Sequence, residues 1–364
     1  MKVLRVYHSG VVDSWRERDR QLRMRGHDIE LISPKSWNEG GATVTIDKGS
    51  DQFVTVAPTI GKHPYLFCYD PRPIWRALRS GVVDVLDVHE EPASLAALEL
   101  LSLRFLARSK APVLFYGAQN IEKRFPVPFR WFERLALRTA AGTYCCNAEA
   151  GEIFRRKGFS GDVRIIGLGI DVDRFSPPSV APSSPPFRLG YVGRLEWRKG
   201  IPVVIEALQS VNPDVEFHLF GTGPDEQRLR DLVEARGLTG RVVFHGFTPH
   251  ADLPEVYRSL HTVVVPSQTT PSWVEQFGRV VVEAMASGTP VIGSDSGSIP
   301  EVIGQAGIVV PEADVAQWAE AITRLASAPD LRRSIAEAGL AAVRRYSWPE
   351  IAAAHAALYE AVAG

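Results

Sequence analysis

Two glutamates, Glu275 and Glu283, stand eight residues apart around the start of a predicted helix. The apolar run after Gly278 predicts this helix over residues 278–287, and Gly288 ends it. Glu275 would lie just before the helix N-terminus, with Glu283 roughly 8–9 Å further along the axis. Because free N–H groups at a helix N-terminus attract phosphate, the segment predicts an anion site with a carboxylate at each end. A sugar nucleotide has this layout of sugar hydroxyls, diphosphate and ribose hydroxyls. A buried helix with two incidental glutamates is the alternative, although an unpaired carboxylate in an apolar helix is costly.

Two cations flank another turn, in the segment GYVGRLEWRKGI at residues 190–201. A predicted strand ends at Gly193, Arg194 and Lys199 follow in the turn, and a proline is placed for the first turn of the next helix. The planar fork of Arg and the point charge of Lys together suit a diphosphate. Two solvated loop cations are the alternative, but the position at the start of a domain favours a ligand.

The segment FGTGPDEQRL, residues 220–229, carries glycines that match part of a dinucleotide-binding fingerprint. Gly221 and Gly223 fit the first two positions of G-x-G-x-x-G, but Glu226 stands at the third position, where it would crowd and repel a pyrophosphate. We therefore interpret the glycines as a tight strand-to-helix turn near the ligand, and we expect no nicotinamide cofactor.

Two strand ends in the first half of the chain also carry candidate residues. His89 follows a predicted strand at 82–88, and Gly10 follows the first predicted strand, 2–7. Ligands of α/β domains bind at the carboxyl ends of strands. An isolated histidine is usually a surface or core residue, but the polar loop EEP that follows His89 favours a functional one. Gly10 would let backbone approach a phosphate.

These residues are positioned by an alternation of strands and helices that runs twice through the chain. The alternation predicts the α/β class, with two Rossmann-like, doubly wound parallel sheets facing across a cleft. The Pro- and Ser-rich segment 177–186 predicts a linker between a first domain, 1–176, and a second domain, 187–347. A final helix is predicted over 348–364. Two domains also agree with the length of 364 residues, which exceeds what one core usually supports.

The composition is that of an ordinary soluble globular protein, with 45% hydrophobic and 23% charged residues. A net charge of −1 argues against a surface built for nucleic acid. The three cysteines form no Cys-x-x-Cys pair, which indicates reduced thiols and no structural zinc. We expect neither a signal peptide nor a membrane span, because the apolar runs are too short.

An Asp-x-Asp at Asp171 and Asp173 matches a pattern that some transferases use to hold Mg²⁺ or Mn²⁺. The pair lies at the predicted domain boundary, away from any sheet edge that would form a metal pocket. We therefore prefer turn and capping roles for both aspartates.

In this order, the segments resemble the retaining glycosyltransferases of the GT-B fold, in the large group called family four. The segment VEQFGRVVVEAMASGTPVIGSDSGSIPEVI resembles the Glu-x7-Glu donor motif of that family, and GRLEWRKG resembles its phosphate-binding turn. Four further segments resemble family blocks: GIDVDRFSP, LFGTGPDEQRL, VVFHGF and VLDVHEEPAS. The resemblance covers nearly the whole chain. It departs at two positions, since valines follow Gly10 where the family usually has a second glycine, and Gln276 stands where glycine is frequent.

The resemblance implies a role for each matching residue in a UDP- or GDP-sugar site. Arg194 and Lys199 would hold the donor diphosphate, and Glu283 the ribose diol. Glu275 would hold hydroxyls of the transferred sugar, and His89 would lie by that sugar at the reaction centre. The other implied donor contacts are Gly10 in the glycine loop, the turn glycines Gly193 and Gly221, the backbone of Gln276, Phe277 and Gly278, and His245 to Phe247 beside the base.

The implied reaction is transfer of a hexosyl group to an acceptor hydroxyl with retention of anomeric configuration, without a metal or cofactor. The first domain would bind the acceptor, the second the nucleotide sugar, and the closing helix would cross back onto the first domain. Arg194, Lys199 and helix dipoles would stabilise the leaving diphosphate, whose oxygen takes the acceptor proton. A double displacement with Glu275 as nucleophile is the alternative chemistry. A sugar-nucleotide epimerase, a phosphorylase and a non-catalytic sugar-nucleotide-binding protein are the alternative functions.

The sequence leaves open the sugar, the nucleotide, the oligomeric state and the acceptor, which could be a glycan, a glycolipid or a secondary metabolite. Two basic clusters could touch an anionic acceptor or membrane: five arginines between residues 16 and 25, and mixed basic and aromatic residues between 123 and 132. We favour a solvated helix face and a packed aromatic elbow for these clusters. We expect a cytoplasmic protein, with peripheral contact at the inner face of the membrane as the alternative.

Overall fold

The computed structural model describes residues 1–39, 41–180, 182 and 185–364. These residues form two compact units. The first unit consists of Met1–Gly169 together with Trp348–Gly364, and the second of Ile170–Ser347.

The division between the units lies after Gly169, earlier than the predicted boundary at residue 176. Residues 170–176 therefore belong to the second unit. The predicted linker, 177–186, is also part of the second unit, although residues 181, 183 and 184 lie outside the described residues.

A parallel sheet forms the centre of the first unit. The strands of this unit are β1 (Lys2–Val6), β2 (Asp28–Ser33), β3 (Ser36–Glu39), β4 (Ala42–Thr45), β5 (Val54–Val56), β6 (Thr59–His63), β7 (Leu66–Tyr69), β8 (Val85–Val88), β9 (Val113–Gly117), β10 (Gly142–Cys145) and β11 (Asp162–Ile165). The sheet has the order β11-β10-β9-β8-β1-β2-β5. Its central strands read as apolar runs because helices cover both faces. Two antiparallel hairpins, β3–β4 and β6–β7, lie outside this sheet and were not predicted, since their strands are short and largely exposed.

The helices that cover this sheet are α1 (Glu17–Met24), α2 (Pro71–Arg79), α3 (Leu95–Leu106), α4 (Phe129–Thr139) and α5 (Ala148–Arg156). Side-chain caps set several helix starts: the Ser94 side chain accepts from the N–H of Ala97 at the start of α3. Two short 3₁₀ turns, His8–Val11 and Asp13–Arg16, precede α1.

The second unit repeats the architecture with strands β12 (Phe187–Val192), β13 (Val215–Phe220), β14 (Val242–Gly246), β15 (Thr262–Val265), β16 (Val291–Ser294) and β17 (Ile308–Val310). All pair in parallel, in the order β14-β13-β12-β15-β16-β17. The helices are α6 (Ile201–Ala207), α7 (Glu226–Ala235), α8 (Leu253–Ser259), α9 (Arg279–Ala286), α10 (Ile299–Ile303), α11 (Val315–Ser327) and α12 (Pro329–Val343). Both units therefore place the loops after their strands at one edge, where α/β domains bind ligands.

The last helix, α13 (Trp348–Ala363), returns to the first unit, as the resemblance implied. It packs along α1, and the ring of Trp348 fills the space that a side chain at Gly169 would need, since a Cβ there would lie 2.1 Å from Trp348 Cε3. The Tyr359 hydroxyl donates to Asp87 Oδ2 at 2.7 Å, which ties the helix to β8. In the part of the chain that the structure describes, no helix combines the length and apolar character needed to span a bilayer.

Candidate functional site

The loop before α9 is fixed by hydrogen bonds from one serine. Gly278 occupies the N-cap position of α9 with a φ of 78°, a left-handed conformation that glycine adopts without strain. Ser298 donates to the carbonyl of Glu275 through its N–H (3.1 Å) and to the carbonyl of Gln276 through Oγ (2.8 Å). The side chain of Phe277 is buried. The loop therefore holds Glu275 just before the helix N-terminus, where the sequence placed it.

Glu275 forms an ion pair with Lys199, which comes from the loop after β12. Lys199 Nζ lies 2.8 Å from Glu275 Oε2, and Ser267 Oγ donates to the same oxygen at 3.0 Å. The ammonium group also lies 4.5 Å from the centroid of the Trp273 ring. Both charged side chains are mostly buried, so solvent screens the pair less than a surface ion pair. The structure thus brings together a carboxylate and a cation that the sequence assigned to one ligand.

Arg194 lies in the same loop but is held by a neighbouring carboxylate. Its Nε donates to Glu196 Oε1 at 2.7 Å, and Arg198 Nε donates to Glu196 Oε2 at 2.6 Å. Burial raises the pKa of Glu196, but the hydrogen bonds from Arg198 and Arg194 outweigh burial and lower the pKa below its ordinary value. The ionised Glu196 therefore anchors two guanidinium groups, while about half of the Arg194 side chain stays exposed.

Glycines after β12 and β13 allow the two loops to touch. A Cβ at Gly221, whose φ is 139°, would lie 1.9 Å from the carbonyl oxygen of Gly193. A Cβ at Gly223 would lie 2.2 Å from the carbonyl oxygen of Leu195, whose own N–H donates to the carbonyl of Thr222 at 3.0 Å. The glycines thus serve loop packing, which agrees with their interpretation as a tight turn and fixes the backbone that carries Arg194 and Lys199.

Glu283 is a buried carboxylate on α9 with one close hydrogen bond. Only 5% of the residue is exposed, and the Tyr257 hydroxyl donates to Oε2 at 2.8 Å. The Arg279 guanidinium and the His250 imidazole each approach Oε1 to 3.8 Å. Burial and the Glu283 charge raise the pKa of Tyr257 well above its ordinary value, so the phenol stays a donor. A carboxylate in this position can accept further hydrogen bonds from a diol.

His245 and Phe247 lie at and beyond the end of β14. His245 Nε2 lies 2.9 Å from His218 Nδ1, and the His245 ring stacks on Phe220 with centroids 4.2 Å apart. Burial, followed by the nearby His218, lowers the pKa of His245, so the ring is neutral at neutral pH. Phe247 is 75% exposed, which leaves an aromatic face available for stacking.

His89 lies in the first unit, directly after β8, and is packed among aromatic rings. Its ring stacks on Tyr116 with centroids 3.9 Å apart and contacts Tyr7 at 4.1 Å. Burial, followed by the charges of Arg5 and Arg18, lowers the pKa of His89 well below its ordinary value. The imidazole is therefore neutral.

Hydrogen bonds around His89 indicate which nitrogen carries the proton. The Tyr144 hydroxyl donates its one hydrogen to Asp87 Oδ1 at 2.7 Å and lies 2.8 Å from His89 Nδ1. Tyr144 can therefore only accept from His89, which places the proton on Nδ1 and a lone pair on Nε2. Among the described residues nothing hydrogen-bonds to this Nε2. His89 also lines a small, partly open cavity of the first unit that has room for water.

The turn after β1 carries a carboxylate–imidazole pair, Glu90 and His8. Glu90 Oε2 lies 2.6 Å from His8 Nδ1, and Glu90 Oε1 accepts from the Tyr69 hydroxyl at 2.6 Å. Burial lowers the pKa of His8, but the charge and hydrogen bond of Glu90, with the charges of Glu39 and Glu91, together raise the pKa above its ordinary value. Gly10 lies in the same turn, where its N–H donates to the Tyr7 carbonyl at 3.3 Å and a Cβ would lie 2.9 Å from Ser33 Oγ. Close packing against Ser33 therefore explains a glycine at position 10. Its contact with phosphate stays a prediction.

The Asp-x-Asp segment forms a turn. Asp171 Oδ1 accepts from the N–H groups of Asp173 and Arg174, at 3.1 and 3.0 Å, as a capping side chain does. No cluster of three or more His, Cys, Asp or Glu suited to a metal ion occurs in the ranges that the structure describes.

Several residues of these two sites carried no sequence signal. Ser298 donates to the backbone carbonyls before α9, Ser267 and Tyr257 donate to the carboxylates of Glu275 and Glu283, and Tyr144 lies against His89. Tyr257 and Tyr144 lie in an ordinary helix and an ordinary strand, and the two serines lie in loops, so only the fold reveals these contacts.

Two protein families match successive halves of this chain. Residues 8–174 match the family described as Glycosyltransferase Family 4, and residues 173–341 match Glycosyl transferases group 1. Together the two matches span both units.

Curated proteins of related sequence carry glycosyltransferase names. The chain is 29% identical over 357 residues to the phosphatidyl-myo-inositol mannosyltransferase of Mycobacterium leprae, covering 94% of this chain and 90% of that protein. It is 33% identical over 220 residues to the D-inositol 3-phosphate glycosyltransferase of Corynebacterium jeikeium. That second match covers 54% of this chain and spans about half, 51%, of the relative.

Solved structures share the fold across the whole chain. HepE of Anabaena in complex with UDP aligns with a TM-score of 0.77 at 21% identity, over 99% of this chain and 100% of that one. A glycosyltransferase of Rickettsia africae aligns with a TM-score of 0.75 at 18% identity, over 99% and 98% of the two chains. The predicted GT-B fold is confirmed, and with the two family matches the chain belongs to the group 1 glycosyltransferases.

Proposed function

We propose that this enzyme transfers a sugar from a UDP- or GDP-sugar to an acceptor hydroxyl, with retention of anomeric configuration and without a metal. The observation that carries the proposal is the Lys199–Glu275 pair at the N-terminus of α9, together with Glu283 in the second turn of that helix. Cation, carboxylate and helix N-terminus together suit a diphosphate that bears a sugar at one end and a ribose at the other.

The proposed donor pose follows from the charges of the second unit. The diphosphate would bind Lys199, Arg194 and the N-terminus of α9, and the ribose diol would donate to Glu283. Hydroxyls of the transferred sugar would donate to Glu275. The nucleobase would meet the end of β14, where Phe247 offers an exposed ring.

Charge stabilisation by these cations supports a metal-independent reaction. As the bond from the anomeric carbon to the phosphate oxygen breaks, Lys199 and Arg194 would stabilise the growing charge on the diphosphate. The acceptor hydroxyl would lose its proton to the leaving phosphate oxygen on the same face of the sugar. Double displacement through Glu275 is less favoured, because Lys199 and Ser267 both donate to one oxygen of this carboxylate and reduce its nucleophilicity.

For the acceptor we propose a polyol or glycolipid hydroxyl bound by the first unit. The two relatives described above are named for inositol-bearing acceptors. In this chain, His89 Nε2 presents a lone pair that would accept from a substrate hydroxyl, and the His8 ring edge lies in the neighbouring turn.

A panel of nucleotide diphosphate sugars in thermal denaturation tests the donor assignment. A donor at about 100 times its Kd should raise the melting temperature of the second unit by about 5–10 °C. Lys199→Ala should weaken donor binding by about 10- to 150-fold, through loss of a charge-assisted hydrogen bond. Arg236→Ala, which removes an exposed ion pair with Glu206 in the same unit, is the control and should bind as the wild type does.

Turnover distinguishes the proposed reaction from its alternatives. With inositol and inositol phosphate as trial acceptors, product mass spectrometry and the anomeric coupling constant report transfer and retention, and EDTA should leave the rate unchanged. Conversion of the donor without any acceptor would indicate an epimerase. No stabilisation by any nucleotide sugar, or equal stabilisation of Lys199→Ala, would refute the donor site.

A further inference from the structure

The structure separates the two basic clusters of the first unit by what their arginines contact. On the first helix, Arg16 and Arg18 are 1% and 3% exposed and donate to Asp51 and Asp87, at 2.7 and 2.8 Å. Arg20 also pairs with Asp51. These charges are neutralised inside the unit and cannot recruit an external anion. The favoured interpretation of this helix as a solvated face is wrong for Arg16 and Arg18.

The second cluster ends on α4, and three arginines of this helix are exposed to solvent. Arg130, Arg134 and Arg138 are exposed and spaced by four residues, so they form one row about 12 Å long on the helix surface. Within the ranges that the structure describes, none of the three forms an ion pair. The single acid of the helix, Glu133, is buried and pairs with Lys157 at 2.6 Å. The exposed face of α4 therefore carries positive charge alone.

An apolar row runs beside the arginine row. Trp131 and Leu135 are 57% and 47% exposed, and Val127, four residues before Trp131, is 47% exposed. Helix α3 packs beside α4, and its last residues, Phe105 and Leu106, are also largely exposed. Phe129 and Phe132 pack on each other with centroids 5.6 Å apart, in agreement with the packed aromatic elbow that the sequence favoured.

We propose that the exposed face of α4 docks the first unit on an anionic lipid bilayer. Arginines would bind lipid phosphates while Trp131 and Leu135 enter the interfacial layer, which is how amphipathic helices lie on membranes. The inference concerns location and does not depend on the proposed transfer reaction.

The pattern favours lipid over the other partners of a basic face. Nucleic acid is bound by cations and polar groups, and a row of Val, Trp and Leu adds little to phosphate contacts. In a dimer formed by two copies of this face, the three arginines of each copy would face those of the other across a two-fold axis and repel them. An anionic bilayer alone offers both phosphate and an apolar layer to the two rows.

Vesicle flotation with the full-length protein tests the docking surface. The wild type should float with phosphatidylcholine–phosphatidylglycerol vesicles, remain behind with pure phosphatidylcholine, and dissociate at high salt. The triple variant R130Q/R134Q/R138Q should lose partitioning by about tenfold or more. The double variant W131A/L135A should lower partitioning at all salt concentrations, because it removes an apolar contribution to binding that salt does not screen.

Matched controls separate docking from general charge. The variant R324Q/R333Q/R344Q removes the same charge from exposed sites of the second unit and should float as the wild type does. Unchanged circular dichroism of each variant would show that the fold is intact, as expected for exposed side chains. Three results would overturn the proposal. The α4 triple variant could float as well as the wild type, or the wild type could float equally with neutral vesicles. Sedimentation could also show a dimer that is lost in the α4 variant. Donor stabilisation is measured without vesicles, so failure of either proposal leaves the other standing.

Discussion

Replacement of Glu283 by Gln should weaken the proposed selectivity of the donor site for ribose over deoxyribose. The carboxylate is buried, accepts a hydrogen bond from Tyr257 on one oxygen, and has its second oxygen 3.8 Å from the Arg279 guanidinium. A ribose hydroxyl that donates to this charge should contribute about 1.5–3 kcal/mol, whereas donation to a neutral amide should contribute about 0.5–1.5 kcal/mol. The wild type should therefore bind a nucleoside diphosphate about 10- to 150-fold more tightly than its deoxy analogue.

Calorimetry with ligand pairs measures this preference directly. UDP or GDP, whichever binds, is compared with its 2′-deoxy and 3′-deoxy forms on the wild type and on Glu283→Gln. The ratio of affinities should fall in the variant by about tenfold per hydroxyl. Glu255→Gln, on the exposed surface of α8, makes the same chemical change away from the site and should keep the wild-type ratio.

Two results would refute this reasoning. Equal affinity of the wild type for ribose and deoxyribose forms would mean that the diol does not reach Glu283. An unchanged ratio in Glu283→Gln would mean that the selectivity comes from another residue. A large fall in melting temperature of the variant would be a separate effect, which the free protein reports without ligand.

Three further predictions concern stability and protonation. Burial raises the pKa of Glu91 to about 7 from 4.5; the unfolding free energy should therefore fall as pH rises from 4.5 to 7, and Glu91→Gln should gain about 1–2 kcal/mol over the wild type between pH 5 and pH 8 in urea titrations. Tyr144→Phe should shift the His89 proton from Nδ1 to Nε2, because Arg5 Nη2 at 3.5 Å remains as a donor; ¹⁵N NMR that shows an unchanged tautomer would contradict this. Gly221→Ala should cost about 2–4 kcal/mol in denaturation, whereas Gly240→Ala, in open space, should cost less than about 1 kcal/mol.

The segment from Glu275 to Glu283 could be predicted from the sequence because the residue patterns that determine it are local. The helix expected over 278–287 is α9, Arg279–Ala286, and the glycines at 278 and 288 take left-handed conformations. A strand-to-helix turn with a proline in the first helical turn also fixed the position of Lys199. Short-range periodicity and turn chemistry determine both features, so one sequence was enough.

The ionic interior of the first unit could not be predicted, because its partners are distant in the chain. Arg18 meets Asp87, 69 residues away, and His355, 337 residues away. An arginine-rich helix has the same pattern whether its charges face water or buried aspartates. The hairpins between residues 36 and 69 were missed for another reason, since short, exposed strands lack an apolar period.

The Lys199–Glu275 contact joins the loop after β12 to the loop before α9, 76 residues further along the chain. In the free protein, each charge has its partner, so neither side chain needs to be ordered by the ligand. An entering diphosphate would share Lys199 with Glu275, and the carboxylate would turn towards sugar hydroxyls while it remains close to the cation. The proposed site is thus set before the donor arrives, which is the condition under which fixed charges lower a barrier most effectively.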